Sequence, residues 1–206
     1  MSWAEWALVV TGVVLLLGWT VWVEASRLDR LHRKVAASAA VLDVQLLRRA
    51  TVAAELVATG AMDPVSSVLV REAAFASLEA GGLSTAVPAP VLPDLSSSSP
   101  PMDRGLVESE LSATLRTALG DADEVTFLRE DCGELVDDLA AAWYRVQLAR
   151  RFHNEGVAQT QRVRAKPVVR LLRLAGRAPV PQTVELDDAW PEGLGRPGAS
   201  GPVPAV

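Results

Sequence analysis

From Leu28 to Val57, apolar side chains recur at Leu28, Leu31, Val35, Ala39, Leu42, Leu46, Ala50, Ala53 and Val57, spaced three, four and four residues apart. The pattern repeats at about 3.67 residues per turn, which holds a seam on one face of a nearly straight helix. It predicts one long helix ending near Gly60. Asp63-Pro64 then restarts the chain, an acidic cap before a proline at the first helical position. A second helix follows, with Val65, Val68, Leu69 and Ala76 as inward candidates and a stop at Gly81-Gly82. Val107, Leu111, Leu115 and Ala118 mark a third helix over 105–119, and Gly120-Asp121 supplies a stop and a restart. The fourth helix is predicted over 121–165, with a seam of Leu128, Cys132, Leu135, Leu139, Ala142, Val146 and Val157. Gly133 and Gly156 weaken it by about 1 kcal/mol each relative to alanine.

All 13 prolines avoid residues 1–63 and 102–166, so both regions are free to form uninterrupted helix. Neither contains an alternating pattern bounded by turn residues, the mark of a strand. Residues 83–104 carry proline and the run "SSSS" and are expected to be a flexible connection. Residues 187–206 are rich in proline and glycine and are expected to be a disordered tail. Each helix has one apolar face that needs partners, and short turns favour antiparallel neighbours. The expected fold is therefore all-α: a single transmembrane helix followed by an elongated antiparallel four-helix bundle. Its boundaries are an anchor over 1–25, helices one and two over 26–82, the connection, and helices three and four with a basic segment over 105–186.

The anchor is read from "WALVVTGVVLLLGWTVWV", Trp6 to Val23, which contains no charge. As a helix it spans roughly 27 Å against a hydrocarbon core of about 30 Å. Trp3, Trp6, Trp19 and Trp22 flank it, where indoles settle at the two membrane–water interfaces. A cleaved leader needs a basic start and a shorter apolar stretch, whereas this chain opens "MSWAE"; only "VEAS" resembles a cleavage site. Arg27, Arg30, Arg33 and Lys34 crowd the C-terminal flank. Basic flanks stay cytoplasmic, so the N-terminus is expected outside and the remainder in the cytosol.

Charge is unevenly placed along the fourth helix and the segment after it. Residues 121–138 hold eight acidic side chains and one arginine, whereas 162–177 hold Arg162, Arg164, Lys166, Arg170, Arg173 and Arg177 and no acid. In an antiparallel bundle the basic segment returns to the membrane. Within it Arg170, Arg173 and Arg177 share one helical stripe and Val168, Leu171, Leu172 and Ala175 another. Such a segment suits the headgroup layer of an anionic leaflet, and equally suits a short helix capping the bundle.

A net charge of −5 argues against general nucleic-acid binding. The single cysteine, Cys132, excludes an internal disulfide framework and suits a reducing compartment. There is no Gly-rich phosphate loop and no His-Glu-x-x-His. His32 and His153 fall towards the same end of antiparallel helices, with Glu155 nearby, but neither helix carries a chelating pair. Packing or solvated histidines are the default, and no cofactor, metal or small-molecule substrate is expected. Asp43, Gln45, Arg48 and Arg49 are too far apart along one helix to make a compact site. They are read as polar links to neighbouring helices, such as Asp43 to an arginine of the fourth helix, or as a surface for a partner.

"VLDVQLLRRA" (Val41 to Ala50) resembles the Asp-Val-Gln-Leu-x-Arg-Arg signature of the LemA family. "ESELSATLR" (Glu108 to Arg116), "ARRFHNEGV" (Ala149 to Val157) and "LAGRAPVPQTVELDD" (Leu174 to Asp188) are similar, in that order, to later segments of the same family. The chain departs from the pattern at His153, where the family has tyrosine, and at Thr51, Ala54 and Glu55. The resemblance, to a divergent member, implies a membrane-tethered, mostly cytosolic helical bundle without established enzymatic activity. The expected function is a non-enzymatic scaffold or protein-binding module at the cell membrane, with membrane lipid and a protein partner or a second copy as its contacts. The alternative is a membrane-surface organiser binding anionic lipid through 162–177, and a metal-dependent enzyme stands third.

Overall fold

The computed structural model describes residues 3–86, 103–176 and 178–196. Their secondary structure is entirely helical: α1 (Trp3–Ala58), α2 (Pro64–Ala86), α3 (Arg104–Ala118), α4 (Ala122–Arg164) and the short α5 (Pro167–Leu171). The helix ends follow local chemistry. Gly60 turns the chain after α1 at φ +75°, a conformation that costs glycine little. The Asp63 carboxylate accepts from the amides of Val65 and Ser66, satisfying donors that the first turn of α2 leaves free. Asp103 caps α3 by accepting from the Gly105 amide, and Asp121 accepts from the Asp123 amide at the start of α4.

α1 runs without a break from the apolar stretch into the seam helix, so the backbone shows no boundary at residue 25. Along it, Leu28, Leu31, Val35, Leu42, Leu46, Ala50, Ala53 and Val57 are buried, while Ala39 is half-buried. The chain folds as two compact units, each taking part of α1 and part of α4: Met1–Ala39 with Phe152–Thr183, and Ala40–Arg151 with Val184–Val206.

The second of these units holds the main core. Ala50, Ala53, Leu56 and Val57 of α1 pack with Val70, Ala73 and Ala74 of α2, Leu111 and Leu115 of α3, and Leu139 and Trp143 of α4. Each large aliphatic side chain removed from water here contributes about 1.5–3 kcal/mol. A satellite cluster joins Leu42, Leu46, Val146, Ala149 and Leu186. In the other unit, Leu28, Leu31, Val163 and Val169 form the buried centre, with Leu174 and Ala175 against it.

Four expectations are corrected. α2 does not stop at Gly81-Gly82 but continues to Ala86. Gly81 serves a close approach instead: a Cβ there would lie 2.4 Å from Cδ2 of Leu47. The inward face of α2 is Val70, Ala73, Ala74, Ser77 and Ala80, whereas Val65, Val68 and Leu69 point outward with Phe75, each more than half exposed. Both faces of α2 are apolar, so hydrophobicity alone does not choose between them. α4 is interrupted at Cys132 (φ −143°, ψ 43°), immediately before Gly133, and Val136 joins the core beyond the break. Finally, the stretch expected to begin a disordered tail is packed through Leu194: Asp188 and Leu194 are buried and Trp190 lies against Trp143. Residues 197–206 lie outside the described residues, as do 87–102 of the expected connection.

Candidate functional site

Within the larger unit the polar residues converge on one buried pair. Arg49 follows Leu46 by three positions and precedes Ala53 by four, so it rides the apolar seam of α1 into the core. Glu108 and Ser112 ride the stripe of α3 in the same way, beside Leu111 and Leu115. Nη2 of Arg49 donates to Oε2 of Glu108 at 3.0 Å and to the Glu108 carbonyl at 3.2 Å, and Nη1 donates to the Ser112 hydroxyl at 2.9 Å. Ser77 of α2 donates to the other carboxylate oxygen at 2.8 Å. The guanidinium lies 5.1 Å from the ring centroid of Trp143 on α4, a cation–π contact that adds to the pair. Burial pushes the guanidinium pKa down, against the opposing pull of the Glu108 charge.

A second arginine extends the chain of charges. Arg104 lies 3.7 Å from Glu108 and 3.5 Å from Asp43. Asp43 therefore faces α3, not the fourth helix, and it joins Arg49 in one charged network through residues of another element. Arg48 points outward and pairs with Asp138 of α4 at 3.2 Å. Glu108, Ser77, Ser112 and Trp143 are the members that motif reading missed. The available signal was a charge or hydroxyl in phase with an apolar stripe.

The closing segment straps this network. Arg150 of α4 grips Asp188 with two 2.8 Å bonds, and Arg116 of α3 grips Asp187 at 2.8 and 2.6 Å. The Asp188 carbonyl accepts from the Trp143 indole at 3.1 Å and from the Gln147 amide at 2.6 Å. Parallel guanidinium–carboxylate bonds fix orientation as well as distance. The Arg116 guanidinium holds the Asp187 carboxyl below its ordinary range.

The smaller unit carries the membrane-related candidates. The indoles of Trp3, Trp6, Trp19 and Trp22 are exposed, as are the large aliphatic side chains from Leu8 to Leu17. Arg27, Arg30 and Lys34 are exposed, and Arg33 pairs with Asp29 one turn earlier at 2.7 Å. The six basic residues of 162–177 separate. Lys166 bonds Glu24 at 2.6 Å. Arg164 donates to the carbonyls of Ala178 and Pro179 and lies 3.1 Å from Nε2 of His32, which must accept because a guanidinium only donates. Arg162, Arg170 and Arg173 are exposed, and Arg177 lies outside the described residues. The predicted pair of stripes does not form, because the helix stops at Leu171 and turns follow, with Arg173 at φ +48° and Gly176 at φ +55°. Val169 is the residue that packs inward, while Val168, Leu171 and Leu172 are exposed.

His153 and His32 have different partners. The Ser38 hydroxyl gives its proton to the Val35 carbonyl, so it accepts from Nδ1 of His153 at 3.1 Å. Among the described residues no group of three or more His, Cys, Asp or Glu side chains is placed to hold a metal ion.

No family model, curated protein or solved structure matches this chain. Among the described residues one helix, α1, is long and apolar enough to cross a membrane, and none of its most apolar window is buried against them.

Proposed function

We propose that the chain is a single-span membrane protein of LemA type. Its soluble part is an antiparallel four-helix bundle on the cytosolic side, and it works as a non-enzymatic scaffold or protein-binding module. The membrane reading is supported by an apolar stretch that none of the described residues covers, followed by exposed Arg27, Arg30 and Lys34. The family reading is supported by the pairing of the segments that carry the resemblance. Arg49 of the first bonds Glu108 and Ser112 of the second, and Arg150 of the third bonds Asp188 of the fourth. Side chains engaged in this way position helices on one another.

The observation that carries the binding role is the outward face of α2, where Val65, Val68, Leu69 and Phe75 are all more than half exposed. A helix face with one apolar side buried and a second left open suits a protein partner or another copy of the chain. The test is a photo-crosslinking residue placed at Val68 or Phe75 in intact cells, with exposed Arg145 of α4 as the comparison site. Capture of a defined species from Val68 and Phe75, and not from Arg145, is expected. Free monomer at all three positions removes the proposal. A C-terminal reporter tests topology separately, with cytosolic signal expected and external signal contradicting it.

A second reading, an organiser of anionic lipid through 162–177, is favoured by the outward-facing Val168, Leu171 and Leu172.

A further inference from the structure

Glu24 directly follows the uncharged stretch that ends at Val23, and Lys166 is bonded to it at 2.6 Å. Trp19 and Trp22, whose ring centroids lie 5.5 Å apart, precede Glu24 by two turns or less. Each headgroup layer is about 5–8 Å thick, so residues at the level of Glu24 fall within it if Val23 ends the hydrocarbon span. Val163 and Val169 hold the following segment against Leu28 and Leu31. On its other side Leu171 is 83% exposed, Val168 50% and Leu172 47%, interleaved with exposed Arg170 and Arg173. Neither of these arginines pairs with a carboxylate among the described residues, whereas Lys166 and Arg164 are engaged within the protein.

We infer that residues 167–173 form an interfacial foot that seats on an anionic phospholipid bilayer. Val168, Leu171 and Leu172 enter the apolar edge of the headgroup layer, and Arg170 and Arg173 hold lipid phosphates. The inference rests on the reading that Trp6–Val23 spans the membrane, and it deepens that reading by naming which charges meet lipid. Alternating apolar and basic side chains suit this boundary, where one component is desolvated and the other meets fixed negative charge. A second copy is the poorer occupant. In a two-fold contact the same patch meets itself, which would set Arg170 and Arg173 against their own copies.

The test uses the full chain with Cys132→Ser and one reporter cysteine, Leu171→Cys, carrying an environment-sensitive fluorophore. Val14→Cys reports on the span, and Thr117→Cys serves as a water-exposed control. The protein is placed in vesicles of phosphatidylcholine alone, or mixed with phosphatidylglycerol, each containing nitroxide-labelled lipid as quencher. The reporter at 171 is expected to be quenched more strongly in the anionic vesicles, with that at 117 unaffected. Arg170→Gln and Arg173→Gln should each lower the docked-to-free ratio about fivefold. A reporter at 171 as unquenched as that at 117, while that at 14 is quenched, overturns the foot and leaves the span intact. If the reporter at 14 is also unquenched, the spanning reading fails with it. Shielding that follows the protein-to-lipid ratio and ignores lipid charge assigns the patch to a second copy and overturns the proposal.

Discussion

Arg49 and Glu108 bond at 3.0 Å with neither side chain exposed, and Ser77, Ser112 and Trp143 surround them. Two opposite charges removed from water are held in register, so the loss of Glu108 strands Arg49, and the loss of Arg49 leaves Glu108 only the more distant Arg104. Removing one partner of such a pair costs about 3–5 kcal/mol, whereas replacing both with apolar residues of similar volume is often neutral or stabilising. Arg49→Met and Glu108→Leu are each expected to lower stability by that amount. The double variant should recover part of the loss, the remainder reflecting Arg104, which no longer faces Glu108. Urea unfolding of the full chain in detergent, followed by circular dichroism, measures all three. Two additive losses would show that the residues act separately.

The Asp187 contact of the strap should loosen in acid. Asp187 has its pKa depressed by Arg116, so the stability it contributes is present above its ordinary pKa. That contribution is lost as pH falls through the depressed value. Trp190, in the strap segment, lies against Trp143 with ring centroids 6.2 Å apart, so tryptophan fluorescence should report its release below about pH 4. Asp187→Asn should weaken the strap at neutral pH and flatten this step. Asp63 is also depressed, by its bonds with Ser66. An unchanged acid step in the Asp187→Asn chain would assign the transition elsewhere.

Gly193 admits no side chain. A Cβ there would lie 2.6 Å from the Leu119 carbonyl oxygen and 2.8 Å from that of Asp121, both backbone atoms that cannot swing away. Gly193→Ala is expected to displace Leu194 and Trp190 from the core and to cost about 1–3 kcal/mol. Faster hydrogen exchange at the Trp143 indole, which donates to the Asp188 carbonyl, is the local readout. Wild-type exchange and stability in this variant would contradict the packing of 187–196.

The two apolar faces of α2 should respond differently to substitution. Val68 is exposed and Val70 is fully buried. Val68→Gln should change stability by no more than about 0.5 kcal/mol. Val70→Ala should cost about 2 kcal/mol through lost burial and the cavity left behind. A reversed order would return the inward face to the expected one, with Val65, Val68 and Leu69 turned to the core.

Much of the helical plan was legible in the linear pattern. The eleven-residue seam from Leu28 to Val57, the cap at Asp63 and the restart at Asp121 are local signals, and they match the observed helices. They are legible because helix geometry repeats every few residues and caps act on neighbouring amides. The inward face of α2 was not legible, since Val65, Val68 and Leu69 are as apolar as the residues that pack. Nor was the partner of Asp43, for which an arginine of the fourth helix is one example of an expected link and which pairs instead with Arg104 of α3.

The sequence by itself determined that the chain is helical, where most helices start and stop, and that its leading stretch is apolar enough to span a membrane. Only tertiary structure decided that Arg49 meets Glu108, that Asp188 receives Arg150, and that Leu171 points away while Val169 packs. Helical periodicity and capping act within one or two turns. A buried charge finds its partner only when residues 59 positions apart, as in the bond between Arg49 and Glu108, are brought together.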